Sequence, residues 1–128
     1  MKLFLRPVFT GVLLILSIYS VFSQTVSSIS ITNSLISQLK KAEQDTNRVN
    51  ILNQLVSALT EEHYVLGLQY ADSAVQLAAK LNYKKGLCKA HDLLGNIHLN
   101  YTLSYGKALS EYNSALELTP VSDWKQIQ

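Results

Sequence analysis

Two stretches of the chain repeat each other: residues 67–77 read GLQYADSAVQL and residues 108–118 read ALSEYNSALEL. Aligned at an offset of 41 residues, they are identical at four positions, a leucine, a serine, an alanine and a second leucine. The segments that precede them align at an offset of 39, which places Leu55 on Leu94. Self-similarity at a fixed period of about 20–50 residues is the signature of repeat architectures. The sequence therefore predicts a unit of about 40 residues that occurs twice.

Apolar residues recur at intervals of three and four from about residue 34 onward, which indicates amphipathic helices. No proline interrupts this pattern between Pro7 and Pro120. We predict an N-cap at Asp45 and a left-handed helix end at Asn82. Short connections between such helices imply antiparallel neighbours, so the expected fold class is all-α. The predicted helices are Leu35–Glu43, about 46–60, Val65–Leu81, Lys84–Tyr101 and Tyr105–Leu118.

The second unit resembles the tetratricopeptide repeat (TPR). Residues 94–98 read LGNIH, which is similar to the Leu-Gly-x-x-Tyr of the first helix in that family. Ala108, Tyr112 and Ala115 fall on the Ala, aromatic and Ala positions of the second helix, and Pro120 falls on the closing proline. The resemblance implies a short solenoid of stacked helical hairpins at residues 35–120, with units at about 48–81 and 84–120. The period near 40 resembles the long TPR variant of extracytoplasmic sensor regions in bacterial signalling proteins.

The likeness is uneven along the chain. His91 stands where the family often has Trp, His98 stands where it has Tyr, and Val56 occupies the glycine position of the first unit. The first unit is therefore the weaker match. The resemblance implies close helix crossings at Gly95 and Ala108. The residues expected to pack the repeat are Leu55, Leu94, Gly95, His98, Ala108, Tyr112, Ala115 and Pro120.

The N-terminal segment, residues 1–23, has the layout of a secretory signal peptide. It begins with two basic residues, continues as an uncharged apolar run from Val8 to Phe22 and ends in Ser23, a small residue suited to cleavage. The run is 15 residues long, shorter than the roughly 20 that cross a bilayer core. Residues 24–34, rich in Ser and Thr, are expected to form a flexible linker. We expect a periplasmic or secreted protein, and an uncleaved membrane anchor is the alternative.

The net charge of +2 resides in this leader. The chain has 11 Lys+Arg and 9 Asp+Glu. Without residues 1–23, which contain Lys2 and Arg6, the remaining 105 residues carry nine basic and nine acidic side chains. A neutral chain lacks the electrostatic footprint of a nucleic-acid-binding protein, so nucleic acid is not an expected partner.

The residue pattern does not indicate catalysis. Cys88, His91 and His98 share roughly one face of the fourth predicted helix, but His98 lies about 15 Å along the axis from Cys88, too far to share one ion. No Ser-His-Asp spacing, glycine-rich phosphate loop or carboxylate pair stands out. We expect no enzymatic activity, no metal and no cofactor. Cys88 is interpreted as a small buried residue, with an intermolecular disulfide as the alternative.

The resemblance also implies a binding surface, because the first helices of successive TPR units line a concave groove. Amides and mixed charges in such a row suit hydrogen bonds to an extended peptide, and the alternative is a merely solvated helix face. Asp92 stands near the position where carboxylate-clamping TPRs carry a lysine, so capture of a peptide C-terminus is not expected. The groove candidates are Asn50, Asn53, Ser57, Glu61, Lys89, Asp92, Asn96 and Asn100.

Residues 121–128 are expected to begin a further helix, with Trp124 and Ile127 on one face. Repeat arrays usually need about three units and a polar closing helix. Either the chain is the front part of a longer protein, which we prefer, or its open apolar face is covered by self-association.

Two functions follow from this interpretation. The first is an exported scaffold that binds protein or peptide, as the sensory front of a larger signalling protein such as a histidine kinase. The alternative is a self-assembling structural or envelope protein that forms homo-oligomers through its open face. Membrane contact is expected only through an uncleaved leader or a C-terminal part outside this sequence.

Overall fold

The computed structural model describes residues 5–59 and 63–119. Within these residues the structure is helical, without β-strands, which confirms the predicted all-α class. Each helix packs against the next one along the chain, and the second also contacts the fourth, as in a stack of helical hairpins. The helices are α1 (Leu5–Lys41), α2 (Thr46–Ala58), α3 (Tyr64–Lys80), α4 (Lys84–Asn100) and α5 (Tyr105–Leu118).

The first helix departs from the sequence-based expectation. The predicted linker at 24–34 and the separate helix at 35–43 are replaced by one continuous helix of 37 residues, α1. Nothing in the sequence ends a helix here, because α1 contains no proline after Pro7 and no glycine after Gly11. Ser and Thr lower helix propensity only modestly, so a Ser-rich composition does not by itself terminate a helix. No helix in the described residues combines the length and the apolar character needed to cross a membrane.

The corner between α1 and α2 is fixed by two side chains. The Oδ1 atom of Asp45 accepts a hydrogen bond from the backbone N–H of Arg48 at 3.0 Å, which confirms Asp45 as the N-cap of α2. The Nη1 atom of Arg48 donates to the carbonyl oxygens of Leu39 at 2.8 Å and Ala42 at 3.0 Å. These carbonyls lie at and just beyond the C-terminus of α1, where helices leave acceptors unpaired. Arg48 therefore joins the end of α1 to the first turn of α2.

The connections on either side of α4 contain left-handed residues. Asn82 has φ 51°, as predicted, and the backbone N–H of Tyr83 donates to the carbonyl of Ala78 at 2.8 Å, the long-range bond of a Schellman motif. Leu103 has φ 50°, between α4 and α5. The bulky side chain of Leu103 makes this conformation unfavourable, so the turn carries strain.

The apolar core follows the order of the helices. Alanines that are fully buried, such as Ala74 and Ala78 of α3 and Ala90 of α4, allow these helices to approach closely around Val49 and Leu52 of α2. A second cluster joins α2, α3 and α4, and a third packs the end of α1 on α2. The buried members of those two clusters are Val56, Ala71, Leu93, Leu94, Ile97, Leu35, Ile51 and Leu55.

Two glycines of α4 lie under aromatic rings. A Cβ added to Gly95 would stand 2.5 Å from the ring of Tyr112 in α5, well inside van der Waals contact. A Cβ on Gly86 would collide with the ring of Tyr83 and stand 2.7 Å from Val49 in α2. The expected repeat-packing residues Leu55, Leu94, Ala108 and Ala115 are buried, His98 is half-buried, and Pro120 lies outside the described residues.

Candidate binding cleft

A cleft of about 650 Å³ opens over α2, between α1 on one side and α4 on the other. Its polar wall comes from one face of α2 and from the first turns of α4, and α1 supplies an apolar edge. Buried Gly86 and Asn53 lie between these helices, so the cleft is built at the contact of α2 with α4. The side chains and backbone that line it belong to Ile31, Leu35, Asn50, Asn53, Gln54, Ser57, Ala58, Tyr83, Lys85, Gly86 and Lys89.

Half of the groove residues predicted from the sequence come together in this cleft, namely Asn50, Asn53, Ser57 and Lys89. Asn96 and Asn100 line a smaller cavity of about 150 Å³ farther along α4. Ser57 borders both cavities, which makes them neighbours along α2.

Two predicted groove residues take no part in the lining that the structure shows. Asp92 is absent from both cavities, and its carboxylate binds the ammonium of Lys89 at 3.1 Å on the surface of α4. Glu61 lies outside the described residues.

Asn53 is the most deeply buried polar side chain of the cleft, with 6% of its surface exposed. Its Nδ2 atom donates to the carbonyl oxygen of Gly86 at 3.0 Å, across the α2–α4 contact. This bond fixes the orientation of the amide, and it leaves the Oδ1 atom buried without a hydrogen-bond partner. A buried acceptor without a partner costs about 1–3 kcal/mol, so it is retained only where something else compensates.

The neighbours of Asn53 on α2 supply further hydrogen-bonding groups. The hydroxyl of Tyr83 donates to the Oδ1 atom of Asn50 at 3.1 Å, which leaves the amide N–H groups of Asn50 to donate. The hydroxyl of Ser57 donates to the carbonyl of Asn53 at 3.0 Å, and its oxygen still accepts. The α2 wall thus offers donors and acceptors in sequence, about one helical turn apart.

The charge of the cleft is positive. Lys85 and Lys89 line it, and none of the described lining residues is acidic. The ion pair of Lys89 with Asp92 is solvent-exposed, with 54% and 44% of the two side chains accessible. Exposed pairs of this kind are worth at most about 1 kcal/mol, so a ligand carboxylate can compete for Lys89.

Sequence reasoning missed the residues that α1 and the start of α4 bring to the cleft. The sequence places Ile31 in the predicted linker and Leu35 in a separate short helix, because the Ser- and Thr-rich composition of residues 24–34 favours a linker. Lys85 lies one turn before Lys89 on the same face of α4, and this i, i+4 spacing was visible in the sequence. The apolar spacing of the sequence does not predict Tyr83 as a cleft residue. Its ring lies close to the backbone of α4 only because Gly86 has no side chain.

The histidines and the cysteine of α4 lie away from the cleft and contact α5 or its connection. The Nδ1 atom of His91 stands 2.6 Å from the Oε2 atom of Glu111, and His98 contacts the hydroxyl of Thr102 at 3.2 Å. The half-buried thiol of Cys88 donates to the carbonyl of Ala115 at 3.4 Å. These side chains hold α4 and α5 together. The described residues contain no cluster of three His, Cys, Asp or Glu that would hold a metal ion.

The chain matches no protein-family model, no curated protein and no solved structure. Its likeness to TPRs consequently rests on motif and helix spacing.

Proposed function

We propose that this chain is an exported helical scaffold that binds an extended polypeptide in the cleft between α1, α2 and α4. The observation that carries the proposal is the polar α2 wall of the cleft, where the amide N–H groups of Asn50 and the hydroxyl oxygen of Ser57 stay available for hydrogen bonds. The main chain of a bound peptide would accept from the amide of Asn50 and donate to the hydroxyl oxygen of Ser57. Export follows from the signal-peptide layout of residues 1–23.

The lining also favours a particular composition of the peptide. The donors of Asn50 and the acceptor of Ser57 suit a main chain that alternates N–H and C=O groups. Lys85 and Lys89 favour acidic side chains on that peptide. Ile31 and Leu35 provide an apolar edge against which one larger side chain can pack. We therefore propose an acidic, extended segment as the ligand, bound along its length and not by its C-terminus.

The TPR resemblance supports placing this scaffold in a signalling context. Long TPR units occur in sensor regions, and a cleft that binds a peptide would serve as the input site of such a region. No catalytic step is part of the proposal.

Selection from a phage library of random nine-residue peptides against the immobilised full chain tests this function. Enriched peptides are then measured by fluorescence anisotropy. We expect acidic peptides to be enriched. Asn50→Ala should weaken their binding about fivefold, because one hydrogen bond is worth about 1 kcal/mol. Lys85→Glu should weaken it about tenfold, and less at high salt.

Lys107→Glu is the matched control, because it makes the same charge change at an exposed position of α5, outside the cleft. Its binding should equal that of the unaltered chain. An equal loss of peptide affinity in Lys85→Glu and Lys107→Glu would show that the net charge of the protein, and not the cleft, determines binding. A library that yields no enriched peptide would contradict the proposal outright.

The alternative function, self-assembly, is favoured by an observation at a different surface, the exposed apolar face of α5.

A further inference from the structure

The helix α5 presents an apolar face to solvent. Tyr105, Leu109 and Leu116 are 65%, 62% and 48% exposed, and Tyr112 between them is half-buried. These four residues are spaced by four, three and four positions, so they form one stripe along the helix. The adjoining side of α5 packs on α4, because Ala108 and Ala115 are buried and the ring of Tyr112 lies against Gly95. We call the four-residue stripe the outer face of α5.

The internal repeat shows what such a face does elsewhere in the same molecule. At the offset of 41 residues, the outer face of α5 corresponds to four residues of α3. In α3 these positions belong to the apolar cluster that contains Leu93, Leu94 and Ile97 of α4. The surface is therefore of the kind that a further helix covers. The corresponding residues of α3 are Tyr64, Leu68, Ala71 and Val75.

We infer that the outer face of α5 pairs with the same face of a second copy of this chain, as two antiparallel helices related by a two-fold axis. The intervals between the four residues of the outer face are four, three and four, so they are the same from either end of the helix. An antiparallel pair therefore places Tyr105 opposite Leu116 of the other copy and Leu109 opposite Tyr112. Tyr105 then meets a leucine of the other copy, and Leu109 meets the part of the Tyr112 ring that its contact with Gly95 leaves exposed. A two-fold interface requires this self-complementarity.

The size of the face is compatible with a small two-fold interface. The exposed parts of the stripe and of the adjoining Leu103 amount to roughly 500 Å² per copy, which is typical of the largest apolar patch on a monomer. A pair would then bury about 1,000 Å², at the lower limit for specific interfaces. We therefore expect a weak, reversible dimer.

The strained turn before α5 points to the same surface. Leu103 holds φ 50° while 63% of its side chain is exposed. Glycine would occupy this conformation without strain, and a largely exposed leucine there contributes little packing to the isolated chain. In the paired state Leu103 extends the apolar area beside Tyr105.

Sedimentation velocity of the full chain over a concentration series tests the pairing. Leu109→Glu should raise the dimer Kd at least about a hundredfold, because it places an unpaired charge in both halves of the interface. Val65→Glu is the matched control, since Val65 is 56% exposed on α3, outside the outer face. Leu14→Glu serves as a second control for association through the exposed apolar run of α1. Both controls should retain the Kd of the unaltered chain.

Three outcomes would overturn the inference. The chain could stay monomeric at millimolar concentration, Leu14→Glu alone could abolish association, or assembly could continue beyond the dimer. Circular dichroism of Leu109→Glu checks that loss of the dimer is not loss of the fold.

A cross-linking experiment tests the antiparallel arrangement. In a Cys88→Ser background, Tyr105→Cys and Leu116→Cys chains are mixed in equal amounts and treated with a short bismaleimide. Mixed dimers should form in preference to dimers of either variant alone. Preferential linkage of identical variants would indicate a parallel pair and contradict the proposed geometry.

Discussion

Replacing Gly95 by Ala adds one methyl group at the tightest contact between α4 and α5. The new Cβ would stand 2.5, 2.7 and 2.9 Å from three atoms of the Tyr112 ring. The ring cannot move away freely, because its hydroxyl donates to the Oδ1 atom of Asn96 at 2.8 Å. Gly95→Ala should therefore either break this hydrogen bond or push α5 away from α4.

The expected change in the free energy of unfolding follows from three contributions. Overpacking of a filled contact costs about 1–3 kcal/mol. Loss or distortion of the Tyr112 hydrogen bond costs about 1 kcal/mol more. The higher helix propensity of alanine stabilises the folded chain by about 0.5–1 kcal/mol relative to glycine. We expect a net destabilisation of about 2 kcal/mol, which corresponds to a fall in Tm of about 8–16 °C for a domain of this size.

Urea unfolding followed by circular dichroism measures this effect. Gly106→Ala is the matched control, because a Cβ there has no atom within 4 Å, and it should be neutral or slightly stabilising. Gly67→Ala should fall between them, since its nearest contact is Ile97 Cδ1 at 3.3 Å. The cost of Gly95→Ala should shrink when Tyr112 is also replaced by Ala. A Gly95→Ala chain as stable as the Gly106→Ala chain would refute the close-contact explanation.

Two further substitutions test the corners of the fold. Arg48→Ala should lower the free energy of unfolding in urea by about 1–2 kcal/mol and speed amide hydrogen exchange at the end of α1, because two carbonyls lose their donor. Unchanged exchange at Leu39 and Ala42 would contradict this role. Arg48→Lys should restore only part of the protection from exchange. Asn82→Ala should lower Tm, because alanine is strained at φ 51°. The Tm of Asn82→Gly should match or exceed that of the unaltered chain. Equal Tm values for the two variants would argue against a strained turn.

Helices α2 to α5 could be predicted because the residues that specify them lie within or beside each helix in the sequence. The apolar spacing, the cap at Asp45 and the left-handed Asn82 act within a few residues of each helix end, and the observed bounds agree within one or two residues. The first helix was not predictable from composition. A Ser-rich stretch favours a linker only when a residue also breaks the helix, and residues 24–34 contain none.

The cleft was predictable in part for a related reason. Asn50, Asn53 and Ser57 share a face of α2 through helical spacing alone, so the repeat register was enough to find them. The roles of Tyr83 and Gly86 depend on how closely α2 and α4 approach each other. Tertiary packing sets this distance, and the spacing of apolar residues in the sequence does not predict it. The partnerless Oδ1 atom of Asn53 likewise becomes evident only after its Nδ2 atom is seen to bind Gly86.

The continuity of α1 has a mechanical consequence. The same helix that supplies Ile31 and Leu35 to the cleft extends back to Leu5. From Leu35 to Gly11 it measures about 36 Å at 1.5 Å per residue. A tilt of about 5° at the cleft would displace that distant point by about 3 Å, the scale of known helix shifts between functional states. Cleavage after Ser23 would shorten the lever arm by about half, so processing of the leader would also set how far an event in the cleft is transmitted.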